Sequence, residues 1–292
     1  MPATNNSRIL FIINPGSGNN ATDWPKLIQD YFASLEHTIE LFHLPDDCDL
    51  NKLKEKVTAF SPGQVVAVGG DGTIKLVAEC LVHAKIPLGI LPGGSANGLA
   101  KELGIPMQPD QALNVIVTGS PKKIHITRVN NQLCIHLSDI GFNAFLIKKF
   151  ESQNGRGMWG YLKASIKVLF SHSLMAVEMH VDNKALKIQA AMIVIANGTK
   201  YGSGAIINPV GSIDDGLFEV VAVKKISLHE IFKMTVSHAS FDPAKTAVYQ
   251  TSGLVIRSRK KVHFQVDGEY LGKVNEVKAS LIPGALEIIV PS

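Results

Sequence analysis

Val65-Val66-Ala67-Val68-Gly69-Gly70-Asp71-Gly72-Thr73 runs four small or β-branched apolar residues into a glycine-rich turn, and a three-to-four apolar spacing follows over 73–83. The pattern is a strand passing through a tight turn into a helix. Glycines at such a junction let the backbone turn sharply and approach a ligand closely. The main-chain N–H groups opening the next helix then form an anion site. The carboxylate of Asp71 would repel a bare phosphate. It belongs beside one if Mg²⁺ lies between them, or if it accepts a proton from an attacking hydroxyl, and both are roles in phosphoryl transfer. Read for structure alone, Asp71-Gly72 is a turn dipeptide and Asp71 a helix cap.

The same design recurs on either side of this stretch. The run 87–91 enters Pro92-Gly93-Gly94-Ser95-Ala96-Asn97-Gly98, which again places glycines and small polar side chains before a helix. The first apolar run, 8–13, ends in Asn14-Pro15-Gly16-Ser17-Gly18. With a further strand at 39–43 and helices at 24–35 and 50–60, the first part alternates strands and helices. This spacing predicts a Rossmann-like parallel sheet wound with helices, its sites at the carboxyl ends of the strands. From residue 123 onward short β-branched runs dominate, at 123–129, 133–140, 176–181, 188–196, 217–223, 254–258, 262–266, 277–281 and 286–290. They predict a mostly antiparallel β sandwich, interrupted by helices at 159–170 and 227–238. The fold class is α/β plus β, with an α/β nucleotide-binding domain over 1–122 and a β-rich substrate domain over 123–292. The extreme C-terminus is open to packing back on the first domain.

Bulk properties narrow the classes. With 292 residues, 46% hydrophobic and 18% charged, the chain can build two cores. A net charge of +4 suits nucleotides or an anionic membrane surface, and does not indicate a nucleic-acid partner. Three widely spaced cysteines without CxxC suit a reducing cytosol. No apolar run approaches the roughly 18 residues of a membrane span. The first loop also scores as GxGxxA through Gly16, Gly18 and Ala21, a rival reading as a nicotinamide-dependent oxidoreductase. The second strand lacks the terminal acid that reading requires, and GxxxxGK[ST] is absent.

Asn14-Pro15-x-Ser17-Gly18, Gly69-Gly70-Asp71-Gly72-Thr73 and Leu91-Pro92-Gly93-Gly94-Ser95-Ala96-Asn97 together resemble the catalytic domain shared by diacylglycerol kinases, sphingosine kinases and bacterial lipid kinases. The GGDGT loop is more distantly similar to that of NAD kinases and 6-phosphofructokinases. Ala196-Asn197-Gly198, Tyr201-Gly202-Ser203-Gly204, Asp214-Asp215-Gly216-Leu217 and Asp267-Gly268-Glu269 extend the resemblance over nearly the whole chain. Two departures stand out. Lys75 and Leu76 occupy the family's usual Asn-Glu, and Gly98 occupies its usual Asp, with Lys101 where arginine is common.

The resemblance implies phosphorylation of a lipid hydroxyl by ATP with Mg²⁺. ATP contacts would come from Asn14, Ser17, Gly18, Gly69, Gly70, Gly72, Thr73, Gly94, Ser95 and Asn97, with Asp71 near the γ-phosphate. The family carries an acid at Glu269 that deprotonates the hydroxyl, while Asp267-Gly268 by itself reads as a hairpin turn. Asp214 and Asp215, with the Leu217 carbonyl, would hold a structural Mg²⁺, or form a solvated turn. The lipid alcohol would be collected on transient visits to a membrane, placing the protein in the cytoplasm, peripheral to the inner face. Exposed sheet edges leave homodimer pairing open. A soluble-substrate kinase of the NAD-kinase type, and a catalytically weakened regulator, are the alternatives. The helix 159–170 and the run Arg257-Ser258-Arg259-Lys260-Lys261 carry the cations that could meet lipid headgroups or simply face solvent.

Overall fold

The computed structural model describes residues 7–18, 22–45, 47–151, 174–182, 184–201, 205–206, 211–227 and 242–292. The chain divides into two units, 1–124 with 284–292, and 125–283.

The first unit contains β1 (Arg8–Ile13), α1 (Trp24–Phe32), β2 (Thr38–His43), α2 (Leu50–Phe60), β3 (Gln64–Gly69), α3 (Asp71–Leu81), β4 (Leu88–Pro92), α4 (Gly98–Glu102) and α5 (Pro109–Thr118). The strands lie parallel in the order β2-β1-β3-β4, and Ile288 near the C-terminus pairs with Leu88 on the far side of β4. Every residue of β3 and β4 is buried, the expected consequence of helices covering both faces of a parallel sheet. Helix starts follow local chemistry. Asp23 accepts the Lys26 N–H before α1, Pro25 fills its first turn, and Asp49 accepts the Asn51 and Lys52 N–H groups before α2. α1 turns Trp24, Ile28 and Phe32 inward at four-residue spacing, and Phe32 meets Phe11 edge-on at 5.4 Å. α3 begins at Asp71, two residues before the apolar periodicity. α5, which the sequence reading did not single out, has Pro109 in its first turn and buries Ala112, Leu113, Val115 and Ile116.

The second unit contains β5 (Ser120–Val129, beginning in the first unit), β6 (Gln132–Cys134), β7 (Leu137–Gly141), α6 (Phe142–Glu151), β8 (Met175–Val181), β9 (Lys184–Ala190) and β10 (Met192–Ala196). It continues with β11 (Lys200–Tyr201), β12 (Ala205–Ile206), β13 (Phe218–Val223), β14 (Thr246–Thr251), β15 (Gly253–Val266) and β16 (Glu269–Val290, ending in the first unit). An antiparallel sheet runs β14-β13-β10-β7-β15-β16, with β8 and β9 added along β15. One face of β10 and β13 packs Ile193, Ile195, Phe218 and Val220 into one core; the other packs Met192, Val194, Val221 and Val223 against Phe142 and Leu146 of α6. Burial on both faces explains why these strands read as unbroken apolar runs.

The segment boundaries differ from those read in the sequence. The runs 254–258 and 262–266 belong to one strand, β15, whose register is interrupted between Arg257 and Val262. The runs 277–281 and 286–290 belong to the single strand β16. Conversely, 133–140 breaks into β6 and β7, and 188–196 breaks at Ala191 into β9 and β10. α6 forms where no helix was predicted, because Gly141, at φ +102°, turns the chain out of β7. The predicted helices at 159–170 and 227–238 fall outside the described residues, Ser227 apart.

Phe11 is fully buried. Phe11→Ala is expected to lower unfolding free energy by about 3–5 kcal/mol in a denaturant titration, through lost burial and the cavity left behind.

Candidate functional site

Three loops leave the carboxyl ends of β1, β3 and β4 and meet through glycine. A side chain at Gly18 (φ +71°) would overlap the Gly93 carbonyl, and one at Gly94 would overlap the Gly70 main chain. The Gly93 N–H donates to the Gly69 carbonyl at 2.9 Å. Asn14 ties the first loop to α3 by donating to Thr73 Oγ1 at 3.0 Å, while its own Oδ1 receives the Gly16 N–H at 3.0 Å. Ser17 Oγ donates back to the Asn14 carbonyl.

Asp71 caps a helix, though not the one it begins. Its Oδ2 accepts the Gly98 N–H at 3.0 Å and its Oδ1 the Leu99 N–H at 3.2 Å, so it caps α4 across the loops. Asn97 adopts the left-handed conformation at φ 51° and closes its own loop, accepting the Gly94 N–H and donating to the Gly94 carbonyl. Of the residues expected to contact ATP, Asn14, Ser17, Thr73 and Asn97 therefore have side chains that shape the loops. Ser95 is exposed and Gly70 and Gly94 are half-buried. A Cβ at Gly72 would meet nothing within 4 Å. The arrangement is a backbone-walled cradle behind helix N-termini, the chemistry that holds phosphate.

In the second unit, Asp267 (φ 48°) and Gly268 (φ 87°) make the left-handed pair of a tight hairpin turn, with Val266 opposite Glu269. Glu269 is exposed and is the first residue of β16. The turn is fastened at both of its residues. The Asp267 carboxylate accepts the N–H groups of Ile135, His136 and Leu137 at 3.0–3.1 Å, and the Asp267 N–H donates to the Leu137 carbonyl at 2.8 Å. The Gly268 N–H donates to Gln265 Oε1 at 2.8 Å. Gln265 Nε2 in turn donates to Asp139, which also accepts from Asn143 Nδ2 at 2.7 Å and the Ala144 N–H at 2.8 Å. Asp139 and Gln265 are fully buried. They were missed in the sequence; the signal was polar residues, Ser138 and Asp139 in one run and His263 and Gln265 in the other, set inside otherwise apolar strand runs.

The Asp214-Asp215 loop is shaped by its own side chains: Ser212 donates to Asp214, and Asp215 Oδ1 accepts the Leu217 N–H at 3.0 Å. His125 lies beside it, its N–H bonded to the Ile213 carbonyl. Burial holds the His125 ring below its ordinary pKa, against the opposing pull of Asp215 and Asp214. Two exposed carboxylates and the Leu217 carbonyl are hard oxygen donors of the kind Mg²⁺ takes. Among the described residues no three His, Cys, Asp or Glu side chains cluster as a metal site, so water would complete any shell here.

Residues 8–129 match the diacylglycerol kinase catalytic domain, and residues 141–290 match the YegS C-terminal NAD kinase beta sandwich-like domain. An uncharacterized protein of Synechocystis is 28% identical over 242 residues, covering 78% of this chain and 54% of that protein, so the chain spans about half of that relative. The lipid kinase YegS of Escherichia coli K12 is 29% identical over 260 residues, 83% of each chain. The crystal structure of a diacylglycerol kinase from Bacillus anthracis superposes with a TM-score of 0.74 at 19% identity, over 97% of this chain and 96% of that one, and shares the fold.

Gly94→Ala is expected to destabilise by about 1–3 kcal/mol in a denaturant titration, since the Gly70 main chain cannot yield to the new methyl. Gly72→Ala, with open space around it, should unfold at the wild-type temperature. Asp267→Ala should cost about 1–3 kcal/mol in equilibrium unfolding, because three N–H groups lose their acceptor; Asp267→Asn, which keeps one carbonyl oxygen, should fall between.

Proposed function

Because the chain belongs to the YegS-like diacylglycerol kinase family, we propose that it transfers the γ-phosphoryl group of ATP to the hydroxyl of a lipid alcohol, such as a diacylglycerol or a sphingoid base. The observation that carries this reading is the cradle in the first unit, where three glycine junctions interlock and Asp71 fixes the N-terminus of α4. Phosphoryl transfer asks chiefly for positioning and charge neutralisation, which main-chain donors on interlocked loops supply. The bond from the γ-phosphorus to the ADP oxygen breaks as the bond from the lipid oxygen forms, and ADP leaves with the electron pair. Mg²⁺ bound to the nucleotide would neutralise charge on the transferring group.

The hydroxyl proton goes to Glu269. Its turn is anchored by Asp267 and Gln265, so the carboxylate leaves a rigid corner, the support a general base needs. Asp71, with both oxygens accepting main-chain N–H groups, is better suited to holding the phosphate loops than to moving a proton. Among the described residues no helix is long and apolar enough to cross a membrane. A substrate dissolved in a bilayer is then met at the surface, by transient contact.

The test uses radiolabelled ATP and a panel of lipid alcohols. Label passing into the organic extract supports the reading; label confined to an aqueous dinucleotide indicates a soluble-substrate kinase. Glu269→Gln is expected to lower kcat by about 10²–10⁴-fold with KM for ATP unchanged. Wild-type turnover in that variant would remove the base from Glu269.

A further inference from the structure

The interruption of β15 is a built feature. Register passes from Arg257 opposite Glu276 to Val262 opposite Val274, so Ser258, Arg259, Lys260 and Lys261 together face a single residue, Asn275. Insertions of this size break a ladder and bend the strand. Here they are held in shape: Asn275 Nδ2 donates to the Ser258 carbonyl at 3.1 Å and the Arg259 carbonyl at 3.5 Å, and Ser258 Oγ donates to the Lys260 carbonyl at 2.7 Å. The bulge thus presents Arg259, Lys260 and Lys261 in succession, all exposed.

The nearby acids are already engaged. Glu276 pairs with Arg257 at 2.8 Å and with Lys278 at 2.9 Å, and the two cations hold its carboxyl below the ordinary range. Glu178, across from Arg257 on β8, bonds His180 at 2.9 Å. Among the described residues none of Arg259, Lys260 and Lys261 forms an ion pair. Three exposed cations therefore stand in succession on one stapled bulge, while the acids Glu276 and Glu178 on the strands paired with β15 are already engaged.

We infer that this bulge is a docking point for an anionic lipid bilayer, engaging headgroup phosphates without insertion. The inference rests on the lipid-kinase reading for its choice of partner. Charge complementarity favours a bilayer, because the exposed large apolar side chains among the described residues are Met107, Leu174 and Val248, with no aromatic ring to stack on a nucleic-acid base. Without an apolar wedge, binding is electrostatic, reversible and screened by salt, which suits an enzyme that must leave the surface with its product.

The experiment compares the full chain with the triple variant Arg259→Ala, Lys260→Ala, Lys261→Ala. Cosedimentation uses phosphatidylcholine vesicles with and without phosphatidylglycerol, at low and high salt. Each cation near an anionic surface is worth about fivefold in binding, so the triple variant should bind phosphatidylglycerol vesicles on the order of 100-fold more weakly. Binding of the wild type should fall with salt and be negligible on pure phosphatidylcholine. The charge-preserving variant Arg259→Lys, Lys260→Arg, Lys261→Arg should bind as the wild type does, which separates lost charge from lost folding. Wild-type vesicle binding by the triple-alanine variant overturns the inference, as does tighter binding of the wild type to an oligonucleotide than to the vesicles. Phosphoryl transfer to a short-chain alcohol in solution should be equal in wild type and triple variant, with only vesicle-borne substrate affected. If neither transfers label to any alcohol, the kinase reading fails, while the vesicle result still judges the bulge.

Discussion

A carboxylate that accepts main-chain N–H groups from a loop distant in sequence anchors each candidate site. Asp71 takes the Gly98 and Leu99 N–H groups in the first unit; Asp267 takes those of Ile135, His136 and Leu137 in the second. Loop N–H groups withdrawn from water need acceptors, and an ionised carboxylate supplies several at once with charge-assisted bonds. Both aspartates precede glycine. At Asp267-Gly268 that glycine carries the turn at φ 87°; at Asp71-Gly72 it opens a helix. The same dipeptide therefore serves two geometries with one electrostatic purpose.

The glycine contacts extend the constraint. Gly18 against Gly93, and Gly70 against Gly94, bring three strand ends closer than any side chain would permit. What results is a wall of backbone, whose N–H groups do not depend on rotamer choice. In the second unit the equivalent rigidity comes from buried polar groups, with Asp139 linking the first turn of α6 to Gln265, and Gln265 to the turn before Glu269. A buried network of this kind is stabilising only when every member is satisfied, and Asp139 accepts three bonds.

Much of this was legible beforehand. The alternation of strands and helices over the first part, the strand–glycine–helix junctions and the antiparallel character of the second part all follow from periodicity and turn residues, and the structure has them. Segment ends were less legible. The bulge at 258–261 looked like a break between strands because its charges interrupt the apolar alternation, whereas the chain pairs on both sides of it. α6 was hidden because Phe142 and the residues after it continue the apolar texture of β7; a left-handed glycine, not a change of composition, separates them. The hold of Asn97 on its own loop, through the Gly94 N–H and carbonyl, was not legible either, because it depends on the left-handed backbone at Asn97.

By itself the sequence determined where the backbone could turn and which strands would be buried, because those depend on residues within a few positions of one another. It also placed Asp71 and Glu269 beside such turns. Only the tertiary structure decided what those carboxylates and corners are tied to. Asp71 reaches α4 across 27 positions and Asp267 reaches His136 across 131. Partners so far apart in the chain are chosen by sheet order and register, which no local rule encodes.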